Sequence, residues 1–332
     1  MRTVGTTTLE VIGGLTLDSV ISSDGTYVTD SPGGNALWAA AGAVMLGADV
    51  ALHTVAGRDY DPDVLTALAA AGMRVDHVRR DSEIDSTRVT FAYELDGERI
   101  GPAPRERILQ LPRSAQGAFV DTTLDPAQVL PTLSTPADLA RSGRASHPWH
   151  MGLLPVSRFG ELVTYLAGVG APYVQADCPS RHDLLETGIH VLDGLLEQLD
   201  VFLPSTSDSA VFDPDQTPLE TVAAFRALGA RTTVLKDGAA GAWIAEGDAA
   251  SMWHVPAYRG HLVRDPTGAG DVFCGAFATA VVRGDSLLRA TCAASACASF
   301  ATTVLQPLEL LAVDPHDIES RTTTIEKGAR RL

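Results

Sequence analysis

Apolar positions along the chain fall into two alternating kinds of run. Short apolar stretches bounded by turn residues, at 7–13, 49–55, 149–153, 173–176, 201–203, 232–236 and 242–245, have the length and flanks of buried strands. Between them, segments 36–46, 157–169, 217–228, 272–282 and 286–304 carry helical patterns, with a further helix expected around 190–199. Punctuation agrees with these limits. Gly47 follows the first helix, Asp61 and Pro62 open another that Gly72 ends, Gly229 closes 217–228, and Asp285 caps 286–304 after Gly284 has closed the helix before it. Segments 36–46 and 272–282 are apolar on most faces and predict buried helices, whereas 217–228 is amphipathic.

Strand–helix alternation through most of the chain predicts an α/β fold with a largely parallel central sheet covered by helices on both faces. No internal repeat or low-complexity linker divides it, so one domain spanning 1–332 is expected. From Thr87 the pattern changes. Residues 88–95, the pair Asp96-Gly97 and the run from Arg99 onward predict a hairpin, because Asp-Gly favours a two-residue I′ connection. A hairpin that interrupts the alternation is a candidate lid. The proline-rich stretch 102–148 lacks a clear period and is expected to extend it. A short extended run is predicted at 261–264.

Composition narrows the function. At 332 residues and 45% hydrophobic content the chain can build a sizeable core, and its formal charge of −16 opposes nucleic-acid and anionic-membrane surfaces. No basic segment followed by an apolar core opens the chain, and no apolar run approaches the ~20 residues that span a bilayer, so a cytoplasmic protein is expected. The four cysteines form no C-x-x-C pair and read as core residues. His147 and His150 lack the frame and the carboxylates of a zinc site. Glycines after the first strand do not keep the G-x-G-x-x-G spacing, which sets aside a nicotinamide-dependent oxidoreductase.

Chemistry concentrates in Asp265-Pro266-Thr267-Gly268-Ala269-Gly270-Asp271, immediately before the buried helix at 272–282. Small residues at a helix start leave amides free where the helix dipole also favours an anion, so Gly268 to Gly270 are a candidate anion cradle. Asp271, directly after it, could accept a proton from a group attacking that anion. Taken alone, a Gly-x-Gly-Asp is also an ordinary turn with an aspartate cap. A second glycine-rich mouth, Ser31-Pro32-Gly33-Gly34-Asn35, opens the helix at 36–46. There the backbone can approach a ligand closely, and Asn35 has both a donor and an acceptor for a polyol.

Residues 265–271 resemble the D-x-T-G-A-G-D signature of the PfkB or ribokinase-like carbohydrate kinases. Gly33-Gly34-Asn35 with its helix resembles that family's other, sugar-lining signature, and Gly57-Arg58-Asp59 with Leu68 and Gly72 matches a further segment. The resemblance implies a ribokinase-like fold with a small β-sheet lid at about residues 15–30 and 85–125. It also implies ATP and Mg²⁺ as cofactors. It assigns Asp271 as general base, Gly268, Ala269 and Gly270 as anion hole, and Asp18, Gly33, Gly34 and Asn35 with Asp271 as substrate contacts. Ser205, Lys236, Gly238, Thr267, Gly268 and Gly270 are its nucleotide candidates.

The chain departs from the family at two places. A D-x-N-x-R pattern keeps Asp177 and Arg181 but has Pro179 for the asparagine, and Ser205 and Asp208 replace an N-x-x-E that organises water around magnesium. Asp208 is therefore expected to act on the metal only indirectly. The loop at 304–307 departs from the pattern of relatives that bind a monovalent cation, and no such ion is assigned. The implied activity is transfer of the ATP γ-phosphoryl to a small sugar. Without a lysine or arginine near Gly33-Gly34-Asn35, the sugar is expected to be neutral. The alternatives are a nucleoside kinase, with Trp38, Phe91 and Tyr93 as candidates for a base pocket, and a catalytically idle ligand-binding homologue. In several relatives the lid also forms a homodimer contact, and that contact stays open here.

Overall fold

The structure is a computed structural model and describes residues 7–94, 99–209, 213–246 and 252–332. The predicted alternation folds into a 10-stranded sheet. In chain order its strands are β1 (Thr8–Ile12), β4 (Asp49–Ala56), β5 (Val78–Arg80), β8 (Trp149–Met151), β9 (Val174–Asp177), β10 (Val201–Leu203), β11 (Thr232–Lys236), β12 (Ala242–Glu246), β13 (Met252–Val255) and β14 (Arg330–Arg331). Spatially the order is β14-β13-β12-β11-β10-β9-β8-β1-β4-β5. From β5 to β11 every pairing is parallel, and β12 to β14 add an antiparallel edge. The remaining strands, β2 (Thr16–Ile21), β3 (Tyr27–Gly33), β6 (Thr87–Tyr93) and β7 (Arg99–Ile100), form a separate 4-stranded sheet ordered β3-β2-β6-β7.

Both faces of the large sheet are buried. Along β1, Leu9 and Val11 pack with Leu37, Ala40 and Ala43 of α1 (Asn35–Met45), whereas Ile12 packs with Trp149, Phe159 and Leu162, the last two from a helix at Val156–Gly168. Glu10, between those apolar neighbours and fully buried, is neutralised by His53 at 2.7 Å and by Arg74 and Arg144. His77 stacks on His53, but the two guanidinium groups already occupy the carboxylate that a metal would need.

Two helices set the position of both glycine-rich mouths. α1 crosses α2 (Ala269–Arg283) at backbone contact: a Cβ on Gly42 would stand 2.2 Å from the Val272 carbonyl oxygen, and one on Gly275 would stand 1.8 Å from that of Ala39. The next helix, α3 (Leu287–Ala301), packs on α2 within one apolar cluster that includes Ala294, Ala296 and Cys297.

Several expectations change. The helix expected around 190–199 is instead two 3₁₀ segments, Ile189–Leu192 and Leu196–Gln198, separated at Gly194, whose φ of 71° leaves the helical region. Residues 261–264 form no strand; the amides of Arg264 and Asp265 donate to the Thr302 carbonyl at the end of α3 instead. Asp18 lies within β2, and β3 continues through Gly33 to the start of α1. The stretch 102–148 holds short helices, Arg105–Ile108, Arg113–Gln116, Pro126–Val129 and Pro136–Ser142. β6 and β7 pair antiparallel as a hairpin should, while the turn Asp96-Gly97 lies outside the described residues. All four cysteines are buried and free. Among the described residues no helix is long and apolar enough to cross a membrane.

The α1–α2 contact predicts that Gly275→Val lowers stability sharply. Overpacking costs about 1–3 kcal/mol or more, and a backbone carbonyl stands in the way rather than a movable side chain. A urea midpoint equal to that of the unchanged chain would show that the helices separate without cost.

Candidate active site

The carboxyl edge of the parallel strands, where ligands settle in open α/β sheets, carries opposite charges here. Asp177 ends β9 and Lys236 ends β11, and the Lys236 Nζ reaches across β10 to the Asp177 Oδ1 at 2.7 Å. The ammonium also lies 3.4 Å from the Cys274 Sγ on α2 and 3.7 Å from where a Gly270 side chain would begin. It therefore sits under the loop that leads into α2. Burial disfavours its charge, but Asp177, the Cys274 thiol and Asp208 together outweigh that and hold it protonated.

Above it, the signature loop turns into the helix at Gly268, whose φ is 73°. A Cβ there would stand 2.2 Å from the Trp38 ring, so the position needs glycine for both conformation and room. No side chain caps α2. The Ala269 amide donates to the Pro266 carbonyl and that of Val272 to Gly268, which leaves the amides of Gly268, Gly270 and Asp271 without partners among the described residues. Free amides at the start of a 15-residue helix make a cradle for an anion.

Asp271 follows the cradle and is half-buried. Its pKa is raised to about 7, chiefly by burial and then by the negative charge of Asp177, against the opposing charges of Lys236 and Arg99. Asp18 faces it from the small sheet. Burial raises Asp18 to about 6, tempered by a hydrogen bond from the Thr16 hydroxyl at 2.5 Å and by the charge of Arg99. Its Oδ2 lies against Gly33, where a Cβ would stand 2.1 Å away. The cleft thus presents a carboxyl poised near neutrality beside an anion cradle, with a second carboxyl opposite, an arrangement able to take a proton from a hydroxyl while holding a phosphate.

Other expected residues are placed differently. Asn35 Oδ1 accepts from the Gly14 amide and its Nδ2 donates to the Leu153 carbonyl, so the side chain ties the β1 and β8 ends together. Ser205 stands beside Lys236 through a parallel bridge. Asp208 accepts from the Ser205 amide and hydroxyl on one oxygen and from Arg181 on the other, so three of its four lone-pair directions are already used within the protein. Gly238 begins an exposed 3₁₀ turn after β11. Trp38 is buried under the cradle, and Phe91 is only 1% exposed, capped by the Arg99 guanidinium at 4.2 Å from its ring centre.

Sequence reasoning passed over the Tyr93 hydroxyl, which bonds Asp265 and Thr267 and so fastens the small sheet to the signature loop. It also passed over Arg99 and the pairing of Asp177 with Lys236. The last had a visible signal: two apolar strands each ending on a charge of opposite sign.

Comparison with known proteins agrees with this geometry. Residues 182–310 match the pfkB family carbohydrate kinase model. A cytidine kinase from Thermococcus kodakarensis is 22% identical over 284 residues, 84% of this chain and 90% of the relative. A putative ribokinase II from E. coli, solved with ATP and Mg²⁺, superposes with a TM-score of 0.71 at 19% identity, over 96% of this chain and 99% of that one. A Burkholderia thailandensis nucleoside kinase in complex with inosine reaches 0.71 at 18% identity, over 96% and 98%. The chain thus shares the fold of ribokinase-like kinases over nearly its whole length, and its residues 182–310, which hold the signature loop, are similar to the pfkB family of carbohydrate kinases.

Proposed function

We propose that this chain transfers the γ-phosphoryl of ATP to a hydroxyl of a small neutral sugar. The observation that carries this is the pairing of free amides at Gly268, Gly270 and Asp271 with the carboxyl of Asp271 itself, whose pKa is raised to about 7. The acceptor hydroxyl, held between Asp18 and Asp271, gives its proton to Asp271 as its oxygen attacks in line, and the amides of the cradle carry charge on the transferred group. Asp271 then holds that proton on its carboxyl. Thr267 and Ser205 flank the cradle and the Lys236 side as nucleotide contacts, and Gly238 opens the turn after β11 where the nucleotide lies in this reading. Magnesium bound with ATP supplies charge neutralisation on the phosphates. Since Asp208 is largely engaged by Ser205 and Arg181, its part toward such a metal in this reading is indirect, through water. The small sheet, built from β2, β3, β6 and β7, acts as the lid, carrying Asp18 and Arg99 over the acceptor. Around the cleft, Asp18, Asp177, Asp265 and Asp271 stand against Arg99 and the already paired Lys236, a balance that disfavours an acceptor bearing its own phosphate.

A nucleoside acceptor is the second reading, favoured by the likeness to a cytidine kinase. An ADP-release assay with ATP, Mg²⁺ and a panel holding ribose, other neutral sugars, sugar phosphates, cytidine and inosine separates these readings. Turnover of a sugar phosphate alone would sink the neutral-acceptor reading, and no turnover of any kind would sink the enzyme.

Asp271→Asn is expected to reduce kcat by about 10²–10⁴, the usual worth of a general base, while ATP affinity by calorimetry stays within error. An active Asn variant refutes the base. In the unchanged enzyme kcat/KM should fall as pH drops through about 7, because protonated Asp271 cannot accept a proton. Gly268→Ala should weaken ATP binding by roughly tenfold or more, since the strained φ costs ~1–3 kcal/mol and the added methyl meets Trp38; unchanged ATP affinity would place the phosphates elsewhere.

A further inference from the structure

We propose that Lys236 and Asp177 are positioning residues for the phosphoryl transfer: the ammonium, locked beneath the Gly268–Gly270 loop by Asp177, governs when Asp271 can act as the base. Geometry places the ammonium at the level of Asp271 along α2. It lies 3.7 Å from the side-chain position of Gly270, one residue before, and 3.4 Å from the Cys274 Sγ, one turn after on the same face. Asp177 holds it there at 2.7 Å, and the Cys274 thiol leans toward the other Asp177 oxygen at 3.7 Å. Both charges end parallel strands that flank β10, so the sheet itself sets their spacing.

A base in this reaction has two demands placed on it. It must be ionised beside an arriving triphosphate, and it must still bind a proton well enough to take one. Lys236 favours the ionised form and Asp177 disfavours it, so the pair holds Asp271 between those limits. The other charged or titratable groups facing Asp271 are Asp18 on β2, Arg99 on β7 and Cys274 on its own helix. Asp177 and Lys236 form an ion pair with each other, which makes them a counterbalanced unit rather than separate background charges.

This role depends on Asp271 being the base, and the test separates the two. Full-length protein labelled with ¹³C at aspartate carboxyls is titrated without nucleotide, the Asp271 signal being identified by its loss in Asp271→Asn. Asp177→Asn is expected to move the Asp271 midpoint down by about one pH unit, and Lys236→Met to move it up. Lys236→Arg, which keeps the charge, stays near the unchanged value, and so does the double variant Asp177→Asn/Lys236→Met. The double variant also supplies the reading if a single one fails to fold, because replacing both partners of a buried pair leaves no orphan charge. The same displacements should recur in the acid limb of the kcat/KM profile with ribose or cytidine as acceptor. Midpoints that coincide in Asp177→Asn and the unchanged chain, or a double variant displaced as far as either single one, would overturn the proposal and leave the pair a structural strut. A fully active Asp271→Asn would instead sink the base while leaving the titration result standing.

Discussion

Everything at the cleft depends on two helices being able to touch at their backbones. Gly42 on α1 meets the Val272 carbonyl and Gly275 on α2 meets that of Ala39, so no side chain intervenes. The Gly33-Gly34 mouth leads into α1 and the anion cradle leads into α2, and the same contact therefore fixes both. Trp38 completes the joint by filling the space under Gly268. The alanine-rich, all-round apolar character of α1 follows from its position between the sheet and a second helix, where any larger residue would push the mouths apart.

On that joint the protein assembles an electrostatic arrangement that would be costly without a function. Burial raises the proton affinity of Asp18, Asp177 and Asp271, and neighbouring acids add to it: Asp177 and Asp18 for Asp271, Asp121 and Asp265 for Asp18, and Asp208 for Asp177. Against them stand Arg99, which reaches in from the small sheet over the Phe91 ring, and Lys236, which rises from the end of β11. A group of acids relieved by cations from two different sheets is sensitive to how those sheets sit. The Tyr93 hydroxyl, bonded to Asp265 and Thr267, ties the small sheet directly to the loop that holds the cradle. The small sheet and the loop below it thus share one set of contacts.

The departures from the family pattern also become physical. Ser205 and Asp208 bond each other, and Arg181 caps the remaining Asp208 oxygen, so the shorter side chains form a closed knot instead of reaching outward. Asn35, whose amide would suit a polyol, holds the Gly14 amide and the Leu153 carbonyl, joining the ends of neighbouring strands. Side-chain identity alone does not reveal such commitments, since a donor or acceptor is used by whichever partner the fold brings nearest.

Periodicity, glycine placement and the run from Asp265 to Asp271 were enough to determine the strand–helix alternation, the parallel sheet, the hairpin strands and the loop that opens the buried helix at Ala269, because each depends on neighbours within a turn or two. Where local signals were weak the reading slipped. Residues 190–199 carry helix-forming side chains, but Gly188 and Gly194 break them into 3₁₀ turns, and 261–264 bends because its amides answer a carbonyl on α3. Only tertiary structure decided that Asp177 belongs to Lys236 across a strand, that Tyr93 belongs to Asp265, and that Arg99 faces Asp18 and Asp271. Those partners lie 59 or more residues apart, and attraction between charges or hydroxyls acts through space, so no pattern along the chain can register it until folding has set the distance.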